Sequence, residues 1–224
     1  MPRSTHETAS SDSRTRLIDA AAAAFYAHGY NVSMDAIAAQ AGVARQTLYN
    51  NFSGKETLFI EVIRRDSERM MMALEDDGGD LRSRLIRFAL AFRALVFSSR
   101  CIALYRTLIA EAVRFPEMIQ AFHDSGPRRT LDELSQLFDN EIRAGRLQGD
   151  TADRDSSSSS DSGSAHFAAD MLLSMLTGNE RARHLLSLEH TLPVDELARV
   201  ERIVDTFLRA FLPTGGAPAP GREK

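Results

Sequence analysis

Residues 33–55 read SMDAIAAQAGVARQTLYNNFSGK and contain two short helical patterns separated by a glycine. Ser33 is a residue type that caps helix N-termini, and Ile37 and Ala41 give the first pattern an apolar face. Gly42 stands where a helix-ending glycine is expected. The remaining alanines are small enough to let two helices cross closely at a steep angle. This spacing predicts a helix-turn-helix.

The second pattern has an outward face that is almost entirely polar. Leu48 and Phe52 are spaced i to i+4 and are expected to turn inward. Arginine pairs with guanine, glutamine and asparagine pair with adenine, threonine contacts the thymine methyl, and a tyrosine hydroxyl reaches phosphate. The segment therefore predicts a DNA-reading face formed by Arg45, Gln46, Thr47, Tyr49, Asn50 and Asn51.

Lys55 stands at the start of the next predicted helix and is the only lysine before the terminal Lys224, in a chain with 25 arginines. A cation at a helix N-terminus opposes the helix dipole unless an anion such as a DNA phosphate lies beside it. A solvated surface lysine is the alternative interpretation. The stretch from Ala36 to Lys55 contains no acidic residue, which favours the approach of a phosphate backbone.

The longer stretch RLIDAAAAAFYAHGYNVSMDAIAAQAGVARQTLYNNFSGKETLFIEVI, residues 16–63, resembles the DNA-binding domain of TetR-type transcriptional repressors. Residues 109–129, IAEAVRFPEMIQAFHDSGPRR, are similar to the regulatory domain of members grouped with multidrug-efflux repressors. The resemblance implies a homodimer that binds a palindromic operator and is released by a small ligand, with efflux or detoxification genes as targets. Carried over by position, it implies DNA contacts at Ser33, Arg45, Gln46, Thr47, Tyr49, Asn50, Asn51 and Lys55.

The rest of the chain also shows helical periodicity and no period-two alternation, which predicts an all-α fold of about nine to ten helices. We expect a three-helix DNA-binding domain over 14–64 and a ligand-binding and dimerisation domain over 65–212. Glycines or prolines mark the predicted helix limits, with one helix ending at Gly178 and the last beginning at Pro193. Low-complexity composition predicts tails over 1–13 and 213–224 and a flexible Ser-rich loop over 150–164.

Composition excludes several protein classes. The chain has 224 residues, of which 43% are hydrophobic and 26% charged, so it is neither disordered nor fibrous. The net charge of −4 divides into +1 for residues 1–65 and −5 for the remainder, so overall charge neither supports nor excludes DNA binding. One cysteine, Cys101, excludes a disulfide scaffold and indicates a reducing cytoplasm. The longest apolar run, Ala20 to Ala27, is too short for a membrane span, so no membrane partner is expected.

An enzyme is the main competing class, but the sequence contains no GxSxG elbow, P-loop, GxGxxG or HExxH motif. We predict no catalytic activity and no cofactor. A helical carrier of small molecules that never contacts DNA is a third class, although such a protein has no use for the polar face of the second helix. The partners expected are double-stranded DNA, an apolar or amphipathic effector and a second copy of the chain.

Aromatic and methionine side chains of the second domain are mostly expected in the core, but some must line any ligand cavity. Arg106 lies on an apolar stripe and is expected to project inward, where a ligand carboxylate or an acid such as Glu111 would neutralise it. Apolar helices at 167–176 and 194–211 are the expected dimer contacts. The ligand-binding candidates are Phe88, Phe92, Arg106, Phe115, Met118, Phe122, Phe138, Met171 and Met175.

Three smaller features have less specific interpretations. The six arginines between Leu81 and Ala110 are expected to be solvated or paired with acids of neighbouring helices. The histidines, including His184, show no metal-ligand spacing and are interpreted as surface residues. Cys101 has apolar neighbours and no resolving partner, so an inert thiol is favoured over a redox sensor.

Overall fold

A computed structural model describes residues 4–75, 79–148, 160–189, 191–192 and 194–211. Within these ranges the chain forms ten α-helices and no β-strand, which confirms the all-α prediction. A 3₁₀ turn over Gly29–Asn31 follows the first helix, another over Met72–Leu74 follows the fourth, and a π-helical turn over Asp124–Arg128 precedes the eighth. The helices are α1 Ser4–His28, α2 Met34–Ala41, α3 Arg45–Asn51, α4 Lys55–Met71, α5 Leu81–Val96, α6 Ser99–Glu111, α7 Pro116–His123, α8 Arg129–Arg143, α9 Ser160–Leu185 and α10 Glu196–Phe211.

Two helices begin earlier than the composition predicts. Helix α1 begins at Ser4 and so includes most of the predicted tail over 1–13, and α9 begins at Ser160 within the predicted loop over 150–164. The reason for the first difference is that no glycine or proline interrupts residues 4–28, and extending an existing helix costs much less than nucleating one. Residues 1–3, the rest of the Ser-rich loop and the predicted C-terminal tail lie outside the described residues.

The region from α9 to α10 is only partly as predicted. The first helical segment of α9 ends at Gly178 as predicted, because φ 47° and ψ −157° are non-helical, and a second helical segment follows this kink and runs to Leu185. Glycine adopts this positive φ because it has no Cβ, so the chain changes direction there. Helix α10 begins at Glu196, beyond the predicted start at Pro193, which lies outside the described residues.

The first apolar core joins α1 to α4 with parts of α6 and α7. Leu17, Phe25, Ile37, Leu48 and Phe59 are all at most 1% exposed in it. The inward position predicted for Leu48 of α3, the recognition helix, is therefore confirmed. Side chains of α6 and α7 complete this core, so the helices that carry the DNA-binding motif rest directly on the second domain.

A second core lies between α5, α8, α9 and α10. Leu85, Phe88, Phe138, Leu172 and Phe207 are at most 1% exposed, and the rings of Phe138 and Phe207 stack with centroids 5.2 Å apart. No single helix within the described ranges is long and apolar enough to cross a membrane. Helices α5 and α6, bent by 60° at their junction, reach that length and composition only as a pair.

Arg93 of α5 is a fully buried cation at the centre of this second domain. Its side chain is 0% exposed and donates to Glu180 at 3.0 Å and to Glu196 at 2.5 Å. It also donates to the carbonyl oxygen of Leu176, beside the kink in α9, and lies over the ring of Phe97. Arg93 therefore ties α5 to both α9 and α10, as predicted for arginines paired with acids of neighbouring helices.

The π-helical turn between α7 and α8 was not predicted and depends on Gly126. An alanine Cβ at this position would lie 2.9 Å from Cγ2 of Ile63 on α4, closer than carbon atoms normally approach. Gly126 is buried, and α4 contacts the turn extensively. The absence of a side chain thus allows the turn to pack against α4, the helix that leads away from the DNA-binding motif.

We expect Gly126→Ala to lower the free energy of unfolding by about 1–2 kcal/mol, because the added methyl group overpacks the contact with Ile63. Urea unfolding followed by circular dichroism measures the change. Gly54→Ala is the matched control, since a Cβ there would meet no atom within 4 Å. Equal stabilities of the two variants would contradict the proposed close contact.

Candidate DNA-binding surface and ligand cavity

Helix α2 begins at the serine cap and ends at the glycine that the sequence predicts. The Ser33 hydroxyl oxygen accepts a hydrogen bond from the amide of Ala36 at 3.1 Å and so caps α2. Gly42 adopts the left-handed conformation, with φ 64°, and ends the helix. Because Ser33 still has a hydroxyl proton to donate, its predicted phosphate contact is compatible with this cap.

The outward face of α3 carries the side chains predicted to read DNA. Gln46 and Asn50 are exposed and share a hydrogen bond of 2.9 Å from Nε2 to Oδ1, which places both amides side by side. Asn51 is half-buried and donates to the carbonyl oxygen of Thr47 at 2.7 Å, so its amide nitrogen is turned back toward its own helix. Tyr49 is 41% exposed. The most accessible positions on α3 are thus Arg45, Gln46, Tyr49 and Asn50.

Arg45 has an acidic partner that was not predicted from the sequence. Its guanidinium lies 3.1 Å from the carboxylate of Asp35, which stands one residue before the acid-free stretch, and 5.5 Å from the ring centroid of Tyr49. Both members of the ion pair are more than half exposed, and such pairs contribute little to stability. A DNA phosphate or a guanine edge can therefore replace Asp35 at small cost.

Lys55 is half-buried, not freely solvated. Its ammonium donates to the carbonyl oxygen of Tyr30 at 2.9 Å and lies 5.0 Å from the centroid of the Tyr30 ring. Burial lowers the pKa of Lys55 below its usual value. An ammonium has three donors, so one bond to the protein leaves others for a phosphate.

Two family models match the sequence. Residues 17–62 match the model described as bacterial regulatory proteins, tetR family, and residues 83–157 match the AefR-like transcriptional repressor, C-terminal domain. The chain belongs to the TetR family. It is therefore a DNA-binding transcriptional regulator with a helix-turn-helix domain and a C-terminal ligand-binding domain.

Solved TetR-family structures share this architecture over almost their whole length. A protein described as a TetR-family transcriptional regulator from Mesorhizobium loti is 25% identical, with a TM-score of 0.69, and the match covers 91% of this chain and 98% of that one. The flavonoid-responsive regulator FrrA is 28% identical, with a TM-score of 0.64 and the same coverages. A TetR-family regulator from Pseudomonas syringae pv. tomato, at 22% identity and a TM-score of 0.60 over 95% and 100% of the chains, shows the fold alone. No functionally curated protein matches the chain.

A cavity of about 300 Å³ lies at the boundary between the two cores. Its walls come from α1 and α4 on the side of the DNA-binding motif and from α5, α6, α7, α8 and α9 elsewhere. The kinked helix α9 contributes Leu173 and Thr177, and the π-helical turn contributes Gly126 and Pro127. This volume is at the lower end of the range typical of small-molecule sites.

Two of the nine predicted ligand-binding residues, Phe92 and Phe122, line this cavity. The other seven lie elsewhere because periodicity identifies an apolar face but not which neighbour covers it. Phe88 and Phe138 are fully buried in the second core, Met175 packs against that core, and Met171 is 38% exposed. Phe115 and Met118 border a separate hollow beside Tyr30.

Arg106 does not project inward as predicted. It is exposed, and its guanidinium donates to the carbonyl oxygens of His184 at 2.6 Å and Leu185 at 2.8 Å, and to the hydroxyl of Ser187 at 2.8 Å. Carbonyls at the C-terminal end of a helix are unpaired and partly negative, which favours a cation there. Arg106 therefore caps α9 and has no contact with the cavity.

His184 is buried, at 2% exposure, contrary to the surface position predicted for it. Its ring and the carboxylates of Glu180 and Glu189 lie within 4.8 Å of one another, a grouping that the four-residue spacing on α9 could have indicated. The carboxylate of Glu180 is already occupied, because it accepts a hydrogen bond from Arg93 at 3.0 Å and forms an ion pair with Arg199 at 2.8 Å. The arrangement is best explained as an ion-pair network.

Polar groups of the cavity wall include a strong internal hydrogen bond. The hydroxyl of Tyr26 donates to Oδ2 of Asp66 at 2.5 Å. Burial and the neighbouring carboxylate raise the pKa of Tyr26 above its usual value. Cys101 also borders the cavity, and burial raises its pKa to about 11.

We expect Cys101 to react slowly with a thiol reagent such as iodoacetamide at pH 8. A pKa of about 11 leaves only about one thiol in a thousand as the reactive thiolate. Mass spectrometry measures the rate of labelling of Cys101 in the native protein and in denaturant, and the ratio of these two rates gives the protection of the thiol. A native rate equal to the denatured rate would show that the thiol is neither buried nor shifted.

Proposed function

We propose that this TetR-family protein is a ligand-released repressor that binds a palindromic operator as a homodimer in the cytoplasm. The observation that carries the proposal is the exposed polar face of α3, in which Gln46 and Asn50 lie side by side within a complete helix-turn-helix. These amide side chains suit the donor and acceptor pattern of adenine in the major groove. Two copies on one face of DNA must stand ~34–36 Å apart, one helical turn of DNA.

For the dimer contact we propose the outer faces of α9 and α10. Phe167 is 51% exposed, Met171 is 38% exposed and Leu197 is 52% exposed on these two helices. Phe167 and Met171 are spaced i to i+4 and so share one face of α9, and exposed apolar patches commonly mark an interface. A symmetric contact through this surface would pair the same residues of both copies, as two-fold interfaces require.

The position of the cavity supports coupling between ligand and DNA. Helix α4 begins at Lys55, directly after the recognition helix, and it lines the cavity through Ile63, Asp66 and Met70. A ligand that fits best when α4 is displaced would change the spacing of the two recognition helices. Release follows only if the ligand binds the displaced state more tightly, because an equal affinity for both states shifts nothing.

As targets we propose efflux or detoxification genes, which fits a regulator whose ligand is a foreign or toxic small molecule. FrrA, one structural relative, is described as flavonoid-responsive, which supports a small-molecule effector for this chain as well. The test is a binding-site selection on random DNA, followed by titration of candidate ligands against the protein–operator complex. Equal ligand affinity for the free and the operator-bound dimer would contradict release by that ligand.

A further inference from the structure

Arg181 of α9 is a cation on the cavity wall that forms no ion pair with any described residue. Among the residues that the structure describes, it makes no hydrogen bond and no ion pair, and its Nη2 atom is buried without a partner. Its guanidinium carbon lies 4.0 Å from the centroid of the Tyr105 ring. This cation–π contact is favourable, but it satisfies none of the five N–H donors of the guanidinium.

Other arginines of the second domain show how unusual this is. Arg93 is more deeply buried and is held by two carboxylates and a carbonyl oxygen. Arg183, two residues further along α9, pairs with Glu189 at 2.6 Å. A buried N–H group without a hydrogen-bond acceptor costs free energy, so the buried Nη2 atom of the half-buried Arg181 favours an anionic ligand that supplies one.

The remainder of the cavity indicates what the anion is attached to. Its walls are mainly apolar, with Phe92, Leu95, Leu104 and Leu173 among the lining side chains. The other charged lining group is the carboxylate of Asp66, and the hydroxyl of Tyr26 already donates to it. One cation is thus left for a ligand whose body is apolar.

We propose that the cavity binds an amphipathic carboxylate, with the carboxylate group paired to Arg181 and the apolar body against the aromatic and leucine side chains. Guanidinium and carboxylate match in a two-bond, charge-assisted geometry, and the contact with the Tyr105 ring holds the Arg181 guanidinium at the cavity wall. The assignment rests on the proposal that this cavity is the effector site, and it names the chemical class of the effector.

The test uses acids and their uncharged amides as matched probes. Binding of 2-naphthoate, 2-naphthamide, decanoate and decanamide to the full chain is measured by isothermal titration calorimetry. Because a hydrogen bond to a charged group contributes about 1.5–3 kcal/mol, we expect at least one acid to bind about tenfold or more tightly than its amide. In Arg181→Gln that preference should disappear, whereas Arg181→Lys should keep part of it.

Arg202→Gln is the matched control, because Arg202 is exposed on α10 and does not line the cavity. It should keep the full preference for the acid. Circular dichroism of each variant shows whether it is folded. Equal binding of acid and amide by the wild-type chain, no binding of any probe, or an unchanged preference in Arg181→Gln would each overturn the assignment.

Parallel measurements of operator affinity separate this inference from the proposed function. If the acids bind through Arg181 and operator affinity stays the same, ligand release by these acids is refuted and the binding assignment stands. If operator DNA is released by an uncharged compound that binds wild type and Arg181→Gln equally, the carboxylate assignment is refuted and ligand release stands.

Discussion

Replacing Arg93 by methionine is expected to lower the free energy of unfolding by about 3 kcal/mol, because Glu196 loses its ion pair with Arg93 and the buried Glu180 keeps only its ion pair with Arg199. Glu180 is 3% exposed and Glu196 18% exposed in the side chain, and both accept hydrogen bonds from Arg93. Methionine preserves much of the apolar volume, so the loss measures charge and hydrogen bonding. Urea unfolding monitored by circular dichroism gives the value.

Arg82→Met is the control for Arg93→Met. Arg82 also pairs with an acid of α10, Asp205, at 2.6 Å, but both side chains are more than a third exposed, so we expect a much smaller loss than for Arg93→Met. Adding Glu180→Gln to Arg93→Met should recover part of the lost stability. Equal losses in the two single variants would show that burial does not distinguish these ion pairs.

Replacing Gln46 by alanine is expected to weaken binding to the selected operator by at least about thirtyfold. A good amide-to-adenine pair contributes ~1–3 kcal/mol of discrimination, and a dimer loses one pair in each half-site. The Gln46 side chain is exposed and lies beside Asn50, so its loss should not destabilise the fold. Fluorescence polarisation with labelled operator measures the affinity.

Two further variants separate base reading from charge. Arg69→Ala removes an exposed arginine near the other end of α4, and we expect it to leave operator affinity almost unchanged. Lys55→Ala should weaken binding to all sequences alike and reduce its dependence on salt, as loss of a phosphate contact does. If Gln46→Ala behaved like Arg69→Ala, the outward face of α3 would not be the reading surface.

The helix-turn-helix was predictable from sequence because its determinants are local. Ser33 caps the helix that follows it, Gly42 adopts the positive φ that ends that helix, and Leu48 is buried at the predicted spacing. The resulting polar face of α3 follows from which positions are buried. Two details differ from the prediction: Arg45 pairs with Asp35, an acid just before the acid-free stretch, and the Asn51 amide is turned back toward its own helix.

The cavity could not be predicted because it depends on contacts between residues far apart in the chain. The same is true of the buried Arg93 in the second core, because its acidic partners lie 87 and 103 residues away in the chain and the sequence offers no local sign of them. Arg181 follows Glu180 directly, yet adjacent helical residues point to different faces, so the acid cannot serve as its partner. The second helical segment of α9, which places Arg181 on the cavity wall, was also not predicted, because the glycine signal marks only where the first segment ends.

A binding-site selection from random duplexes shows whether α3 reads a specific DNA sequence. We expect the wild-type chain to enrich one inverted repeat with half-site centres about one helical turn apart, and Gln46→Ala to lose the preference at particular base pairs of each half-site. Failure to enrich any sequence, or enrichment of the same sequence at the same affinity by Gln46→Ala, would contradict this expectation.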